Sequence, residues 1–472
     1  MSREVTVSEV LDRIPVGRFH RRLLGICGSA WAFDGMEVIL ISFTLPVLSN
    51  AWGLTGIFEG LLGSASLMGM IAGNWIWGAY ADTNGRKKAF EWTVLFYSVF
   101  TGLTALATGF YSGFGLRFLT GVGLGGALAV DTSYLSEHLP TQERGKYVVY
   151  LDAFWPLGNL LAVVLAWFFL SVVSSGGMID IPVFGEVANW RVLFAAASFP
   201  ALTVFVIRRG LSETPYYLAL KGEIEAANDR IREIAEENGE EFTPISAEEV
   251  RETPSPGFSR LFESDLRKQT AMITTAWFGV NLGYYGVFIW LPSTVGAAGV
   301  VGNVTVGGLT FESIYLYFVL IAVVQFPGYF SAAYLVERIG RKPTLGSYLV
   351  LSGVFTFVFA VSMPDVSFFG IGAESSLSSF IAGLLGASFF ALGAWGAIYA
   401  YTPELFPTEA RATGNGFAGG VGKIGAVIGP ILAGVLVGRG YLVALAPLAA
   451  SFVLGGVVVL LLGRETKGEP LF

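Results

Sequence analysis

The chain has 472 residues, of which 53% are hydrophobic, 14% aromatic and only 14% charged. A soluble chain would carry about 25% charged residues, so this composition excludes a secreted, cytosolic or disordered protein and predicts a polytopic helical membrane protein. The formal net charge is -7, from 29 Lys and Arg against 36 Asp and Glu. Because no basic surface is available, nucleic acid is excluded as a partner and the lipid bilayer is the expected surrounding.

Windows of about 20 apolar residues predict twelve membrane spans, numbered here from 1 to 12. They cover residues 23–48, 57–81, 89–110, 112–137, 147–173, 189–207, 270–293, 310–335, 343–363, 376–402, 412–437 and 441–463. The basic residues fall almost entirely on one side, and Arg191 and Arg439 are the exceptions. By the positive-inside rule that side is cytoplasmic, so we expect both termini inside the cell and the chain in the plasma membrane.

One long polar segment interrupts this pattern between spans 6 and 7, at residues 209–269. Within it, the stretch Lys221–Asn238 places isoleucines on one stripe at helical spacing, which predicts an amphipathic helix. We interpret the segment as a cytoplasmic linker between an N-terminal six-helix bundle, residues 1–208, and a C-terminal six-helix bundle, residues 270–472. A regulatory domain is the alternative interpretation.

Two motifs recur in equivalent loops of the two halves. The first consists of an acid, a glycine and two bases, at Asp82, Gly85, Arg86 and Lys87 after span 2 and at Glu337, Gly340, Arg341 and Lys342 after span 8. The second consists of Glu, Pro, Thr and Arg, at Glu137, Pro140, Thr141 and Arg144 after span 4 and at Glu404, Pro407, Thr408 and Arg411 after span 10. Two such repeats indicate a duplicated six-helix unit, with two bundles facing each other across a central cavity.

The repeated acids and bases are candidates for a cytoplasmic gate. A carboxylate there can pair with a guanidinium or cap a neighbouring helix N-terminus. Such ion pairs would hold this face closed and break when it opens. The alternative is static packing between loops, together with charge that sets the topology.

Four ionisable residues lie deep within predicted spans, where each costs about 2.5–3.5 kcal/mol and is a functional candidate by default. Asp34 and Glu37 share one face of span 1, Arg117 in span 4 lies at the depth of Glu37, and Lys423 lies near the middle of span 11. A movable guanidinium would switch a buried carboxylate between holding and releasing a proton, which predicts proton coupling through Asp34, Glu37 and Arg117. A fixed ion pair that only positions helices is the alternative. No cofactor or metal is expected.

Lys423 is also the predicted anchor for a carboxylate or other anionic group of a substrate, although it could instead pair with one of the acids. Asp131 and Asp152, on spans 4 and 5, could face each other or a vestibule, so they are candidates for gating or for substrate contact. If all four acids faced the cavity, a cationic substrate would be favoured. Further substrate-binding candidates are aromatic or amide side chains within spans: Trp31, Asn159, Tyr284, Tyr285, Gln325, Trp395 and Tyr399.

Several of these stretches resemble a known family. Residues 78–87 resemble the signature loop of the major facilitator superfamily. Arg117–Gly126 is similar to the fourth helix of its sugar-porter-like branch, and Ser212–Leu218 and Pro403–Arg411 are similar to the loops of that branch after helices six and ten. The resemblance covers essentially the whole chain and implies an all-α major facilitator fold of twelve transmembrane helices in two six-helix bundles.

Other motifs indicate where in that branch the chain belongs. Asp34–Glu37 resembles a motif of aromatic-acid/proton symporters. Tyr284–Gly286 and Gly422–Gly425 resemble the niacin-type, organic-ion and synaptic-vesicle-glycoprotein-like relatives. Thr274–Asn281 in span 7 lacks the paired glutamines usual in true sugar porters.

The resemblance implies a proton-coupled symporter, working as a monomer, that imports a small organic solute by alternating access, with an organic or aromatic acid as the preferred substrate. A sugar or organic-cation transporter of the same fold is one alternative. A transporter-like receptor without net transport is another. An enzyme is not expected, since no phosphate-binding loop, metal-ligand cluster or Ser-His-Asp set is present in the sequence.

Overall fold

A computed structural model of the chain describes residues 6–182, 184–204, 209–245, 258–297, 303–306, 309–363, 377–407 and 410–467. Parts of the predictions lie outside these residues: the end of span 6 at 205–207, the first residue of span 10, linker residues 246–257, and Thr408 of the second repeat. The described residues are predominantly helical, and the order of their helices follows the predicted spans.

The N-terminal half forms the helices Arg18–Trp52, Ile57–Asn84, Arg86–Thr104, Phe110–Ser136, Arg144–Asp152 with Trp155–Trp167, and Asn189–Ala197 for spans 1 to 6. The C-terminal half forms Arg267–Ala297, Ser313–Ile339, Arg341–Val361, Leu377–Glu404, Arg411–Val437 and Tyr441–Leu462 for spans 7 to 12. Among the described residues, eight helices are long and apolar enough to cross a membrane, namely those of spans 1, 4, 5 and 8 to 12. The prediction of an all-α polytopic membrane protein is confirmed.

In spans 5 and 6 the helices differ from the predicted ranges, and a proline explains each difference. Span 5 crosses as Arg144–Val172 but is irregular within that length. Its first α-helical part ends at Asp152 and the next begins at Trp155 with Pro156 in its first turn, where a missing N–H is tolerated. Span 6 is an α-helix only to Ala197 and continues as a 3-10 turn, Phe199–Thr203, that contains Pro200.

Two short antiparallel hairpins were not predicted. One pairs Met178–Ile181 with Gly185–Ala188 before span 6, and the other pairs Asn303–Val306 with Leu309–Glu312 before span 8. Span 8 therefore begins at Ser313 and not at residue 310. Segments of four residues are too short for periodicity to separate them from the adjoining apolar helix.

The linker and the N-terminal segment pack together on the face that bears both repeated motifs, called here the linker face. The predicted amphipathic helix is present as Ile224–Asn238 and follows the shorter helix Pro215–Leu220. Ile231 and Ile234 are buried in a small apolar cluster that they share with helix Val7–Leu11. This cluster is separate from the main hydrophobic core of the bundles.

Helices within the N-terminal bundle approach to backbone contact. A Cβ at Gly121 of span 4 would lie 2.0 Å from the Ser66 carbonyl oxygen of span 2, and one at Gly125 would lie 2.1 Å from that of Met70. Small residues at such crossings let transmembrane helices pack by close van der Waals contact. The glycine-rich motif of span 4 is thereby explained as a packing surface.

The two bundles contact each other on the half of the molecule away from the linker face. The Ser64 hydroxyl of span 2 donates a hydrogen bond of 2.9 Å to the Val427 carbonyl of span 11, and a Cβ at Gly60 would lie 2.7 Å from the Pro430 carbonyl oxygen. The rings of Phe43 and Phe318 meet with centroids 4.7 Å apart. These contacts close the space between the bundles on the side away from the linker face, called here the far side.

Candidate functional site

A cavity of about 330 Å³ lies between the bundles and continues toward the linker face. Its described lining comes from spans 1, 2, 4 and 5 of one bundle and spans 7, 8, 10 and 11 of the other. Small residues toward the linker-face ends of spans 4 and 11, among them Gly125, Ala129, Gly416 and Gly419, widen that end. A volume near the low end of the range for small-molecule pockets, about 300–1,000 Å³, suits a compact solute.

Six of the predicted substrate residues line this cavity: Trp31, Tyr284, Tyr285, Trp395, Tyr399 and Lys423. The aromatic rings contact one another in a continuous wall, with Trp395 centred 6.1 Å from Tyr284, 6.5 Å from Tyr285 and 5.8 Å from Tyr399. Aromatic pairs in offset or edge-on contact are mutually stabilising. The wall therefore offers fixed ring surfaces against which a flat solute can lie.

Lys423 and Asp152 are the two charged residues in the lining. Within the part of the chain that the structure describes, the Lys423 ammonium makes no ion pair or hydrogen bond, so the alternative that it pairs with an acid is not seen. Asp152 lies beside Trp31 and Tyr329, and it is 6% exposed. One bundle thus presents an acid to the cavity and the other presents a base.

Asn159 and Gln325 do not line the cavity among the residues described, although both are substrate candidates in the sequence. The Asn159 amide donates a hydrogen bond of 2.8 Å to the Gln325 side-chain oxygen, and the Gln325 amide donates one of 3.1 Å to Ser388. Span 5 thereby bonds to span 8 of the opposite bundle. A second bond between bundles runs from the Trp155 indole to the Tyr284 hydroxyl, at 3.3 Å.

Glu37 and Arg117 meet inside the N-terminal bundle, and both are fully buried. Arg117 Nη1 lies 3.4 Å from Glu37 Oε2, and its Nη2 donates a bond of 2.9 Å to the Glu37 carbonyl oxygen. Thr101 donates a further bond of 2.8 Å to Glu37 Oε2. In the described structure Glu37 Oε1 and Arg117 Nε have no partner, so this buried pair is only partly satisfied.

Asp34 and Asp131 are also fully buried in the N-terminal bundle, behind the cavity wall. The Tyr97 hydroxyl is the hydrogen-bonding neighbour of Asp34, and the carboxyl groups of Asp34 and Asp131 interact electrostatically with each other. Asp131 therefore faces Asp34 and not Asp152, and the suggestion that Asp131 and Asp152 face each other is wrong.

The first repeated motif forms the same ion-pair network in each bundle. Arg86 pairs with Asp82 at 2.6 Å and with Glu137 at 3.1 Å, and Arg341 pairs with Glu337 and Glu404, both at 3.0 Å. Each network joins helices of one bundle. The recorded ion pairs of these two arginines do not connect the bundles.

The arginines of the second motif hold backbone carbonyls. Arg144 donates to the Leu139 carbonyl at 3.1 Å and to the Tyr216 hydroxyl of the linker at 2.8 Å. Arg411 donates to the Pro403 carbonyl at 3.1 Å. Both residues thus shape the turn that leads into the following helix.

Two glutamates that sequence reasoning missed cap spans 3 and 9. Glu213 accepts bonds from the backbone N–H groups of Arg86 and Lys87, at 2.9 and 3.3 Å. Glu465 accepts from those of Arg341 and Lys342, at 2.9 and 3.2 Å. Anionic side chains at helix N-termini are stabilising. A Glu-Thr pair follows the last span of each half, at Glu213 and Glu465, and this third repeat was the signal available in the sequence.

The caps also explain the repeated glycines. Gly85 and Gly340 have backbone φ angles of 104° and 109°. Residues with a Cβ atom rarely adopt positive φ angles of this size. A Cβ at either position would lie 2.2 or 2.3 Å from an oxygen of the capping glutamate. Both the backbone conformation and the space therefore require glycine.

Other lining residues were not proposed as site residues from the sequence. Among them are Asn74, Thr132, Trp155, Trp277, Asn281, Tyr329, Leu392 and Asn415. The Trp277 indole donates to Thr402 at 2.9 Å, and Asn281 donates to the Trp277 carbonyl at 2.8 Å. A single polar or aromatic residue in an apolar helix does not show which face of the helix lines the cavity, because each helix is buried on several faces.

Comparison with known proteins gives a family and a fold. Residues 39–472 match the family described as sugar (and other) transporter. The chain is 32% identical over 464 residues to the niacin transporter NiaP of Acinetobacter baylyi, with 98% of each chain covered. It is 28% identical over 515 residues to organic cation/carnitine transporter 7 of Arabidopsis thaliana, with 99% of this chain and 95% of that protein covered.

Among solved structures, the chain is similar to the xylose transporter XylE from E. coli in a partially occluded inward open conformation. The TM-score is 0.72 at 16% identity, with 96% of this chain and 100% of that chain covered. This likeness concerns the fold. The resemblance to the major facilitator superfamily and to its niacin-type and organic-ion members is confirmed.

Proposed function

The chain is a membrane transporter of the sugar (and other) transporter family, within the major facilitator superfamily, and from this premise we propose that it imports a small organic acid together with a proton. Transport would proceed by alternating access, with the two bundles rocking about the cavity between them. The preferred substrates are aromatic monocarboxylates of one ring.

The observation that carries the proposal is Lys423, which lies among aromatic side chains and has no ion-pair partner among the described residues. An ammonium group that lines a cavity without a counter-ion is a favourable place for an anion. The ring surfaces of Trp395, Tyr284 and Tyr285 are fixed around the same space, and they suit a flat substituent. The similarity over nearly the whole chain to a protein named as a niacin transporter supports a substrate of this size and kind.

Proton coupling is assigned to Asp34, Glu37 and Arg117. The partly satisfied Glu37–Arg117 pair has unused hydrogen-bonding capacity on both partners, so a small shift of Arg117 would change which carboxylate it neutralises. When the guanidinium moves away, a desolvated carboxylate takes up a proton, and when it returns the proton is released. Asp34, one turn away on the same helix, is the second proton-accepting group.

The basic linker face is assigned to the cytoplasm, with both termini, in the plasma membrane of a cell. The functional unit proposed is a monomer, since one chain forms the whole cavity. With the far side closed and the cavity extending toward the linker face, the structure would correspond to a state that opens inward.

The test is counterflow of labelled solutes in proteoliposomes, with and without an imposed pH gradient. We expect a proton gradient to drive accumulation of benzoate-like acids. In Asp34→Asn, gradient-driven accumulation should be lost while counterflow is retained, because exchange needs substrate binding but no proton movement. Counterflow of hexoses or cations in place of acids would refute the acid substrate.

An organic cation is the second candidate, and it is favoured by a specific observation. Asp152 lines the aromatic cavity, and aromatic rings with an acid can hold an ammonium group. Inhibition of counterflow by carnitine-like or quaternary ammonium compounds, and not by acids, would identify this alternative. Measurable binding without flux of any solute would indicate a receptor.

A further inference from the structure

Asp131 of span 4 is a buried acid to which the proposed function gives no role. It is fully buried in the N-terminal bundle, and among the described residues neither of its carboxyl oxygens has a hydrogen-bond partner. Buried polar groups in proteins are nearly always hydrogen-bonded, and an ionised carboxylate that no donor contacts is very costly to keep away from water. A neutral, protonated Asp131 therefore fits this position, and its O–H group needs an acceptor.

The neighbours of Asp131 supply that acceptor and a route to the cavity. Asp131 interacts electrostatically with Asp34 and with the Cys27 thiol, which lie about two turns apart on one face of span 1. Of these two, Cys27 is nearer to the linker face, so Asp131 lies on the linker-face side of Asp34. Ala129 and Thr132 flank Asp131 in span 4 and line the cavity. A proton on Asp131 thus lies between Asp34 and the part of the cavity that extends toward the linker face.

The charges in this buried cluster balance only when protons are bound. Asp34, Glu37 and Asp131 are fully buried acids, and among the described residues the fully buried base beside them is Arg117. Arg117 offsets the charge of Glu37, its ion-pair partner, whereas the Tyr97 hydroxyl, which hydrogen-bonds to Asp34, is a neutral group. Two adjacent carboxyl groups in a desolvated site cannot both ionise, so they share a proton. Asp34 and Asp131 therefore hold two protons when the pair is neutral and one when it is ionised once.

We propose that Asp131 is a proton-coupling residue, which forms an acid pair with Asp34 and exchanges the coupled proton with the cavity. The inference rests on the proposed function and adds one group to its proton path. With the pair loaded, Asp34 and Asp131 each hold one proton. Release transfers the Asp131 proton to water in the cavity, and the proton that remains on Asp34 is then shared, its O–H group donating to the Asp131 carboxylate. The next proton is taken up from the far side when that side is open, which restores the loaded pair.

The first test needs no substrate, because infrared spectroscopy detects protonated carboxyl groups directly through their C=O stretching band. At about pH 6 an exposed aspartate is ionised, since its ordinary pKa is about 3.9, so this band reports buried acids. We expect Asp131→Asn to remove the intensity of one carboxyl group from the band of the purified protein in lipid, and Asp34→Asn to do the same. Asp180→Asn is the matched control, because Asp180 is exposed in the hairpin strand Met178–Ile181, and it should leave the band unchanged. An unchanged band in Asp131→Asn would mean that Asp131 is ionised, and would overturn the proposal.

The second test measures transport of labelled benzoate in proteoliposomes. Asp131→Asn should lose accumulation driven by a proton gradient, because the pair can no longer hold two protons, and it should retain counterflow, which needs no net proton movement. Asp180→Asn should retain both. Proton-driven accumulation that persists in Asp131→Asn while it is lost in Asp34→Asn would overturn the role of Asp131. Equal loss of counterflow and accumulation in folded Asp131→Asn would indicate a packing role alone, which overturns it as well.

These measurements distinguish failure of this inference from failure of the proposed function. If the native protein does not accumulate benzoate with a proton gradient, the acid symport is refuted, whereas the infrared band still shows whether the acid pair exists. If Asp131→Asn is not recovered as folded protein, Asp34→Asn decides. Its spectrum should lose one carboxyl group and shift the band of another, because Asp131 has then exchanged its carboxyl partner for an amide. Loss of one band with no shift of a second would overturn the pair.

Discussion

The buried Glu37–Arg117 pair offers the sharpest test of how the N-terminal bundle is held together. Arg117→Met removes the guanidinium while keeping most of the length of the side chain. It leaves Glu37 in a fully buried position with Thr101 as its remaining side-chain hydrogen-bond donor. The double variant Glu37→Gln/Arg117→Met removes both charges, and the side-chain oxygen of the introduced glutamine can still accept from Thr101.

The expected cost can be worked from these contacts. Removing one partner of a buried ion pair costs about 3–5 kcal/mol. Glu37 must then either stay charged without a partner or take up a proton, which at pH 7 costs about 3.7 kcal/mol for a carboxyl of ordinary pKa about 4.3. The bond from Arg117 to the Glu37 carbonyl, 2.9 Å long, adds about 1 kcal/mol. We therefore expect Arg117→Met to lower the free energy of unfolding by about 4–6 kcal/mol. The double variant should recover at least half of that loss, because no buried charge remains.

The assay is equilibrium unfolding of the purified protein in detergent, with the two single variants and the double variant forming a double-mutant cycle. The linker pair Arg230–Glu233, in which the side chains are 35% and 57% exposed, provides a matched control cycle with the substitutions Arg230→Met and Glu233→Gln. Exposed pairs contribute about 0–1 kcal/mol. If the buried cycle were additive within about 0.5 kcal/mol, the idea that the pair acts as a coupled unit would be refuted.

Three further predictions concern packing, caps and pH. Gly121→Leu should prevent the close approach of span 4 to Ser66 and abolish recovery of monodisperse protein on size-exclusion chromatography. The control variant Gly115→Leu should be recovered normally, because a Cβ at Gly115 meets no atom within 4 Å. Glu213→Gln should lower the unfolding free energy by about 1 kcal/mol, measured in detergent, and no loss would contradict its capping role. Burial lowers the pKa of His138 from 6.5 to about 4, so its contribution to stability is complete above pH 6.5 and is lost as the pH falls toward 4. The melting temperature should accordingly fall more between about pH 7.5 and about pH 5 in the native protein than in His138→Gln, and equal falls would contradict this assignment.

The helical order and the family could be predicted from the sequence because bilayer thickness imposes a length and hydropathy on each span. The repeated loop motif at Gly85 and Gly340 could also be recognised in the sequence, since the turn at both positions requires glycine. The break between Asp152 and Trp155 was harder to predict, because Pro156 is compatible with either a kinked helix or a new helix start.

Side-chain direction was the main limit at the site. The sequence indicates that Asn159 and Gln325 are polar groups at mid-depth, but depth alone does not say whether an amide faces a cavity or a partner in the other bundle. Asp34 and Asp131 illustrate the same limit, because they lie behind the cavity wall and face each other. Which side chains of two helices meet depends on how each helix is rotated about its own axis. A helix that is buried on several faces has no clear amphipathic stripe from which that rotation could be predicted.

The confinement of the Arg86 and Arg341 networks to single bundles has a consequence for kinetics. Bundles that rock as rigid units would not have to break these surface ion pairs. The barrier between states would come from uncharged contacts between the bundles, such as those of Ser64, Gly60 and Phe43 and the Asn159–Gln325 hydrogen bond. Mobile ions screen charge pairs but leave such contacts largely unaffected. The rate of substrate exchange should therefore vary little between low and high ionic strength, when binding to Lys423 is kept saturated.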